Sequence, residues 1–143
     1  MFVKEVRSPK EVPFFITEMK GKIDAFWMLP DITVICPETV EFILLFSIEN
    51  KIPIFSFSEK YVEMGALMSL SINPVDLGKQ AGQIAEKILA GNYVMNIYGV
   101  EPEDIVISIN VKVAKKFKIN IHDEILHNAK IIKLPAIPDE GNY

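Results

Sequence analysis

Residues 23–57 read IDAFWMLPDITVICPETVEFILLFSIENKIPIFSF, and the fold turns on how they are divided. IDAFWML (23–29) is a short, nearly continuous apolar run, the pattern of a strand covered on both faces. After Pro30-Asp31 and ITVIC, Pro37 suits a first helical turn and Glu38 suits the positive end of a helix dipole. Val40, Ile43, Leu44 and Ser47 continue one helical face, and Phe42, Leu45 and Phe46 make the segment apolar almost all round. Burial on more than one side is expected. Asn50-Lys51 ends the helix, and IPIFSF (52–57) is again continuous and β-rich. Strand, helix and strand in this order imply parallel pairing through a right-handed crossover.

The flanking sequence continues the alternation. Toward the N-terminus, FVKEVR (2–7) alternates apolar and charged after Phe2, which suits a strand near a sheet edge. Val12, Phe15, Ile16 and Met19 then share one helical face, with Pro13 in the first turn and Gly21 as the stop. Toward the C-terminus, a helical turn around KYVEM leads through Gly65 to a strand, ALMSLSI (66–72). Asn73-Pro74 starts a further helix, Leu77, Ala81, Ile84, Ala85 and Ile88 line one of its sides, and Gly91 ends it. Gly78 and Gly82 each cost that helix about 1 kcal/mol relative to Ala, a cost that close packing on another element would offset. The connection over 92–103 is apolar enough to lie along a surface; DIVISIN (104–110) reads as a strand, 111–118 and 122–130 as helices, and LPAIPDEGNY as an unstructured end. The sum is one α/β domain over 1–143, a doubly wound, mostly parallel, Rossmann-like sheet with flanking helices.

Composition limits what such a domain does. Half of the 143 residues are hydrophobic and 24% are charged, with a mean hydropathy of +0.24. Charges break every apolar run before it reaches the roughly 18 residues of a membrane span, so the chain reads as soluble with an unusually apolar surface or an absent partner surface. The net charge of -4 and the scattered lysines argue against nucleic acid as a partner. Lys115, Lys116 and Lys118 read as the solvated end of a short helix. MFVKEVRSPKE lacks the order of a signal peptide, which leaves a cytoplasmic chain or a piece of a longer one.

Chemistry-bearing motifs are sparse. G-x-G-x-x-G, the phosphate loop ending in G-K-[ST] and the G-x-S-x-G elbow are all missing, so no cofactor is expected. His122 and His127 lie five apart, the wrong helical spacing for a shared metal, and read as exposed structural histidines. The single cysteine, Cys36, sits at a helix start that lowers thiol pKa values, but no motif places a base beside it; a packed, inert residue is the simpler reading. Trp27 reads as core. Asp31 falls where a strand ends, the edge at which such sheets hold ligands, and it equally fits a cap or turn former.

A more specific pattern lies in GALMSLSINPVDLGKQAGQIAEKILAGN (65–92), where a strand of small residues meets Leu-Gly-Lys-Gln and a helix closing on Leu-x-Gly. This resembles the substrate-binding proteins of a family of ABC transporters whose better-known members bind aromatic or other hydrophobic amino acids. GKIDAFWMLPDITVI, KIPIFSFSEKYVEMGAL and ISINVKVAKKFKINIHDEIL are similar to further stretches of that family, in its order, over about residues 3–130. The resemblance implies a periplasmic-binding-protein type I fold, in which two lobes trap ligand between them. This chain matches only the C-terminal lobe and return segment. It also implies that Asp31 and Thr33 sit on the cleft rim, with Phe57 and Ser58 at the next strand end, holding a small molecule such as an amino acid. The partner implied is an ABC permease, and the location extracytoplasmic for a full-length receptor. The helix over 75–90 would pack on the first lobe; without it, that helix packs on its own lobe, exchanges with a second copy or leaves apolar surface exposed. The alternative is a stand-alone cytoplasmic sensing or interaction module, a homodimer through the surface left by the missing lobe. A flavodoxin-like enzyme is a distant third, lacking any nucleophile and base that the motifs could bring together.

Overall fold

The computed structural model describes residues 2–91 and 100–133. A short 3-10 turn, Pro9–Glu11, leads into α1 (Val12–Glu18), then β1 (Phe26–Trp27), α2 (Pro37–Asn50), β2 (Ile54–Ser56), α3 (Glu59–Met64), β3 (Met68–Ile72), α4 (Pro74–Leu89), β4 (Ile105–Asn110), α5 (Val111–Phe117), α6 (Asp123–Asn128) and β5 (Lys130–Ile132). The five strands form one sheet in sequential order. β1, β2 and β3 are parallel, β3 and β4 antiparallel over five residue pairs from Met68↔Ile109 to Ile72↔Ile105, and β4 and β5 parallel. The mostly parallel α/β sheet with flanking helices is therefore present. The unstructured end expected at 134–143 and most of the 92–103 connection lie outside the described residues.

Local chemistry sets the element boundaries. Cys36 caps α2: its N–H donates to Thr39 Oγ1 (3.1 Å) and its Sγ lies 3.3 Å from the same oxygen, while the Thr39 hydroxyl turns to the Val34 carbonyl. Lys51, at φ 55°, unwinds the far end, and Ser47 Oγ donates to the Ile52 carbonyl at 2.6 Å to seal it. Gly65 ends α3 at φ 125°, a conformation open only to glycine at low cost. Asn73 caps α4 by accepting from the Val75 N–H at 3.0 Å.

The main core lies on one face of the sheet, where Val12 and Ile16 of α1, Val40, Ile43 and Leu44 of α2, and Ile54 and Met28 are buried together. α2 is covered on more than one side, since Phe42 and Phe46 pack against this cluster too, although Leu45 stays exposed. A smaller cluster under α5 joins Leu67, Val113 and Ala114, with Phe55 and Phe117 against it.

Three expectations need correction, and α4 stands apart from the core. Residues 2–6 do not join the sheet; the segment is held by the Lys4–Glu18 ion pair (3.1 Å) and by Lys4 stacked on the Phe15 ring, so its alternation has no ladder to enter. The 23–29 run is not covered on both faces. Only Phe26–Trp27 pairs, at the sheet's edge, and Trp27 is 68% exposed instead of core. The 122–130 helix stops at Asn128, because Lys130–Ile132 pairs with β4. Finally, α4 buries none of its residues, and nothing lies within 4 Å of a Cβ built on Gly78 or Gly82. Among the described residues nothing packs closely on those glycines, and Val75, Leu77, Ile88 and Leu89 are exposed.

One polar tie spans the sheet and α3. Ser108 Oγ donates to Glu59 Oε2 at 3.1 Å, and Lys130 Nζ pairs with Glu59 Oε1 at 2.8 Å. The hydrogen bond from Lys130 holds the Glu59 carboxyl below its ordinary value, against partial desolvation and with help from Ser108. A folded-state pKa below the unfolded one adds stability above about pH 4.5 that is lost as pH falls through the folded value. Glu59→Gln is thus expected to lower the urea midpoint slightly at pH 6–7, a small effect for so exposed a pair, and the gap from wild type should narrow as the pH is taken down below about 4.5. Urea titrations across that range check it.

Candidate functional site

β1 and β2 run parallel with Trp27 beside Phe55, so the chain leaving each strand emerges at the same edge of the sheet. Asp31 and Thr33 follow β1; Phe57 and Ser58 follow β2. The topology thus gathers all four residues beyond adjacent carboxyl ends, and α4 begins at Asn73 beyond the end of β3 on the same side.

Asp31 builds a turn. Its Oδ1 accepts from the N–H groups of Thr33 (2.7 Å) and Val34 (3.2 Å), and its carbonyl accepts from Ile35 at 2.8 Å. This is the turn-forming role that the sequence also allowed. The role uses one carboxylate oxygen and leaves the residue exposed, with no cation paired to it among the described residues. The hydroxyls of half-buried Thr33 and Ser58 likewise make no hydrogen bond among the described residues, although Ser58 stands at the start of α3 with its carbonyl accepting from Tyr61 at 3.1 Å. Phe57 is different: it leans into the main core and meets Tyr61 edge to face, with ring centroids 5.2 Å apart. Its first task is packing.

Tyr61 is not among the residues singled out from the sequence; its place in α3, four residues after Phe57, was the available signal. With Ile35, Cys36, Val40, Leu44 and Met64 it lines a cavity of about 560 Å³ between α2 and α3, next to the rim residues. Cys36 is half-buried there against Thr39. Glu38, in the first turn of α2, is held below the ordinary carboxylate value by its backbone hydrogen bond and then by the Cys36 thiol, as expected of an acid at a helix start. His122 and His127 are both exposed, and no group of three or more His, Cys, Asp or Glu able to hold a metal occurs among the described residues.

An open, mostly parallel sheet of this kind belongs to the α/β class, in which residues following adjacent strands meet past their carboxyl ends. The chain belongs to the ABC transporter substrate binding protein family, whose model matches residues 2–133. It is 32% identical over 94 residues to the "Tyrosine-binding protein" of Clostridioides difficile (strain R20291), a match covering 66% of this chain and 27% of that protein. Among solved structures it is similar to the ligand-free, open form of a substrate binding protein with adhesive properties from Clostridium difficile (28% identity, TM-score 0.70, 92% of this chain and 43% of that one). It is also similar to an ABC domain in complex with L-Trp from Streptococcus pneumonia (27%, 0.65, 89% and 44%). The chain therefore spans less than half the length of the solved relatives it matches. No described helix is long and apolar enough to cross a membrane.

Proposed function

We propose that this chain supplies one wall of the binding cleft of an ABC-transporter solute receptor, and that the solute is an amino acid with an aromatic or other apolar side chain. The observation that carries this reading is the convergence of Asp31, Thr33 and Ser58, each with a polar atom unused by the described residues, at one edge of a sheet of this family. The second carboxylate oxygen of Asp31 takes the ligand's ammonium group, the two hydroxyls add hydrogen bonds, and Phe57 backed by Tyr61 gives the apolar side chain a surface. Relatives that bind tyrosine or L-Trp support the ligand class. In the complete receptor, ligand contacted from both walls favours the closed form, which is passed to a permease on the extracytoplasmic side.

Asp31→Asn tests the site without breaking the turn, because the amide oxygen still accepts from Thr33 and Val34 while the charge is gone. Calorimetric titration with tyrosine, tryptophan, phenylalanine and leucine, backed by amide shifts at Thr33, Val34 and Ser58, should show weak, saturable binding. The variant should lose about tenfold or more in affinity, the worth of a charge-assisted hydrogen bond. Equal binding by both proteins, or saturation with no shift at those amides, would place the ligand elsewhere.

A further inference from the structure

The cavity between α2 and α3 has two walls of the same pattern. On α2, Glu41 is followed one turn later by Leu45; on α3, Lys60 is followed one turn later by Met64. Residues four apart share one side of a helix, so these pairs stand on the rims while Val40 and Leu44, both buried, form a floor with Tyr61. Leu45 and Met64 are 47% and 43% exposed although both line the cavity, so its apolar trough lies open. Glu41 and Lys60 are exposed too, and neither enters an ion pair among the described residues. The cavity therefore carries opposite, unpaired charges on its two walls above an apolar floor.

A volume of about 560 Å³ is that of a small-molecule site. An occupant that brings an ammonium group to Glu41, a carboxylate to Lys60 and an apolar chain over Val40 and Leu44 meets each of these features at once. We propose that the trough is a second binding site, for a zwitterion with an apolar side chain, of which leucine is a simple form. From Pro37 to Leu45 it follows α2 for about 12 Å, away from the strand ends where Asp31 stands. Both of its walls belong to this chain, and none of Asp31, Thr33 or Ser58 lines it, so the proposal does not rest on the cleft reading. Tyr61, which meets Phe57 edge to face, lies between the two.

Leucine, N-acetylleucine and leucinamide are titrated into isotope-labelled protein carrying Asp31→Asn, which takes away the charge at the strand ends. Leucine should bind saturably and shift the amides of Val40, Leu44 and Met64, and each blocked analogue, lacking one charge, should bind about tenfold more weakly. Glu41→Gln should weaken leucine about tenfold and N-acetylleucine not at all; Lys60→Met should do the same to leucine and spare leucinamide. Both residues are exposed, so neither change reaches the core. Shifts confined to Thr33, Val34 and Ser58 in the wild-type chain, and abolished by Asp31→Asn, would overturn the second site while leaving the cleft reading in place. Shifts at Val40, Leu44 and Met64 that ignore both substitutions and both blocked ends would overturn it too, since the charges would then select nothing. So would the absence of any shift at those three amides.

Discussion

Asn110→Ala is expected to destabilise the domain by about 2 kcal/mol, measured as a lower urea midpoint with an unchanged slope. Asn110 is 4% exposed and serves two elements at once. Its Oδ1 accepts from the Lys112 and Val113 N–H groups (both 3.1 Å), capping α5, and its Nδ2 donates to the Val62 carbonyl at 3.1 Å, fastening α3 to the end of β4. Alanine removes a cap, typically worth about 1 kcal/mol, and one of the two hydrogen bonds to the buried Val62 carbonyl, which keeps the Gly65 N–H (3.2 Å), for about 1 kcal/mol more. Asn110→Ser separates the two: a serine hydroxyl caps but does not reach Val62, so it should restore only the capping share. Full recovery by serine would show that the α3 contact contributes nothing.

Ile54→Ala is expected to cost about 3–4 kcal/mol, within the range for truncating a buried isoleucine. The residue is 1% exposed on β2 and sits in the cluster formed by α1 and α2, where a void has little room to collapse. Leu89→Ala makes the control. At 88% exposed near the end of α4, its loss should fall within about 0.5 kcal/mol. Comparable losses at both sites would mean that α4 is packed in solution.

How much was legible follows from where each signal is local. Cys36-Pro37 and Asn73-Pro74 announced their helices because capping is satisfied within a few residues, and Gly65 and Gly91 marked ends because their positive φ is a property of one residue. What depended on a distant partner was not legible. Residues 2–7 and 23–29 carry strand patterns, but a pattern does not say whether a neighbour stands beside it, so the first stayed unpaired and the second became an edge with Trp27 in solvent. The antiparallel entry of β4 was hidden for the same reason: a helix between two strands usually signals a crossover, and here β4 returns directly along β3. At the site, the address of Asp31 was readable from the strand before it. The division of labour between its two oxygens was not, because it depends on a turn that closes through Thr33 and Val34. The cavity beside Tyr61 arises from the spacing of two helices and has no signature in either one alone.

That direct return of β4 along β3 has a mechanical meaning. Ile72 and Ile105 are register partners, so the chain departs for α4 and comes back at neighbouring points. α4 thus leaves the sheet beside a paired stem. Turning α4 about that stem would move no fully buried side chain, since α4 has none, but would break the hydrogen bond from Gln80 Nε2 to the Glu101 carbonyl (2.9 Å). A load applied to α4 would therefore reach the sheet first at Ile72, where the helix's own strand ends.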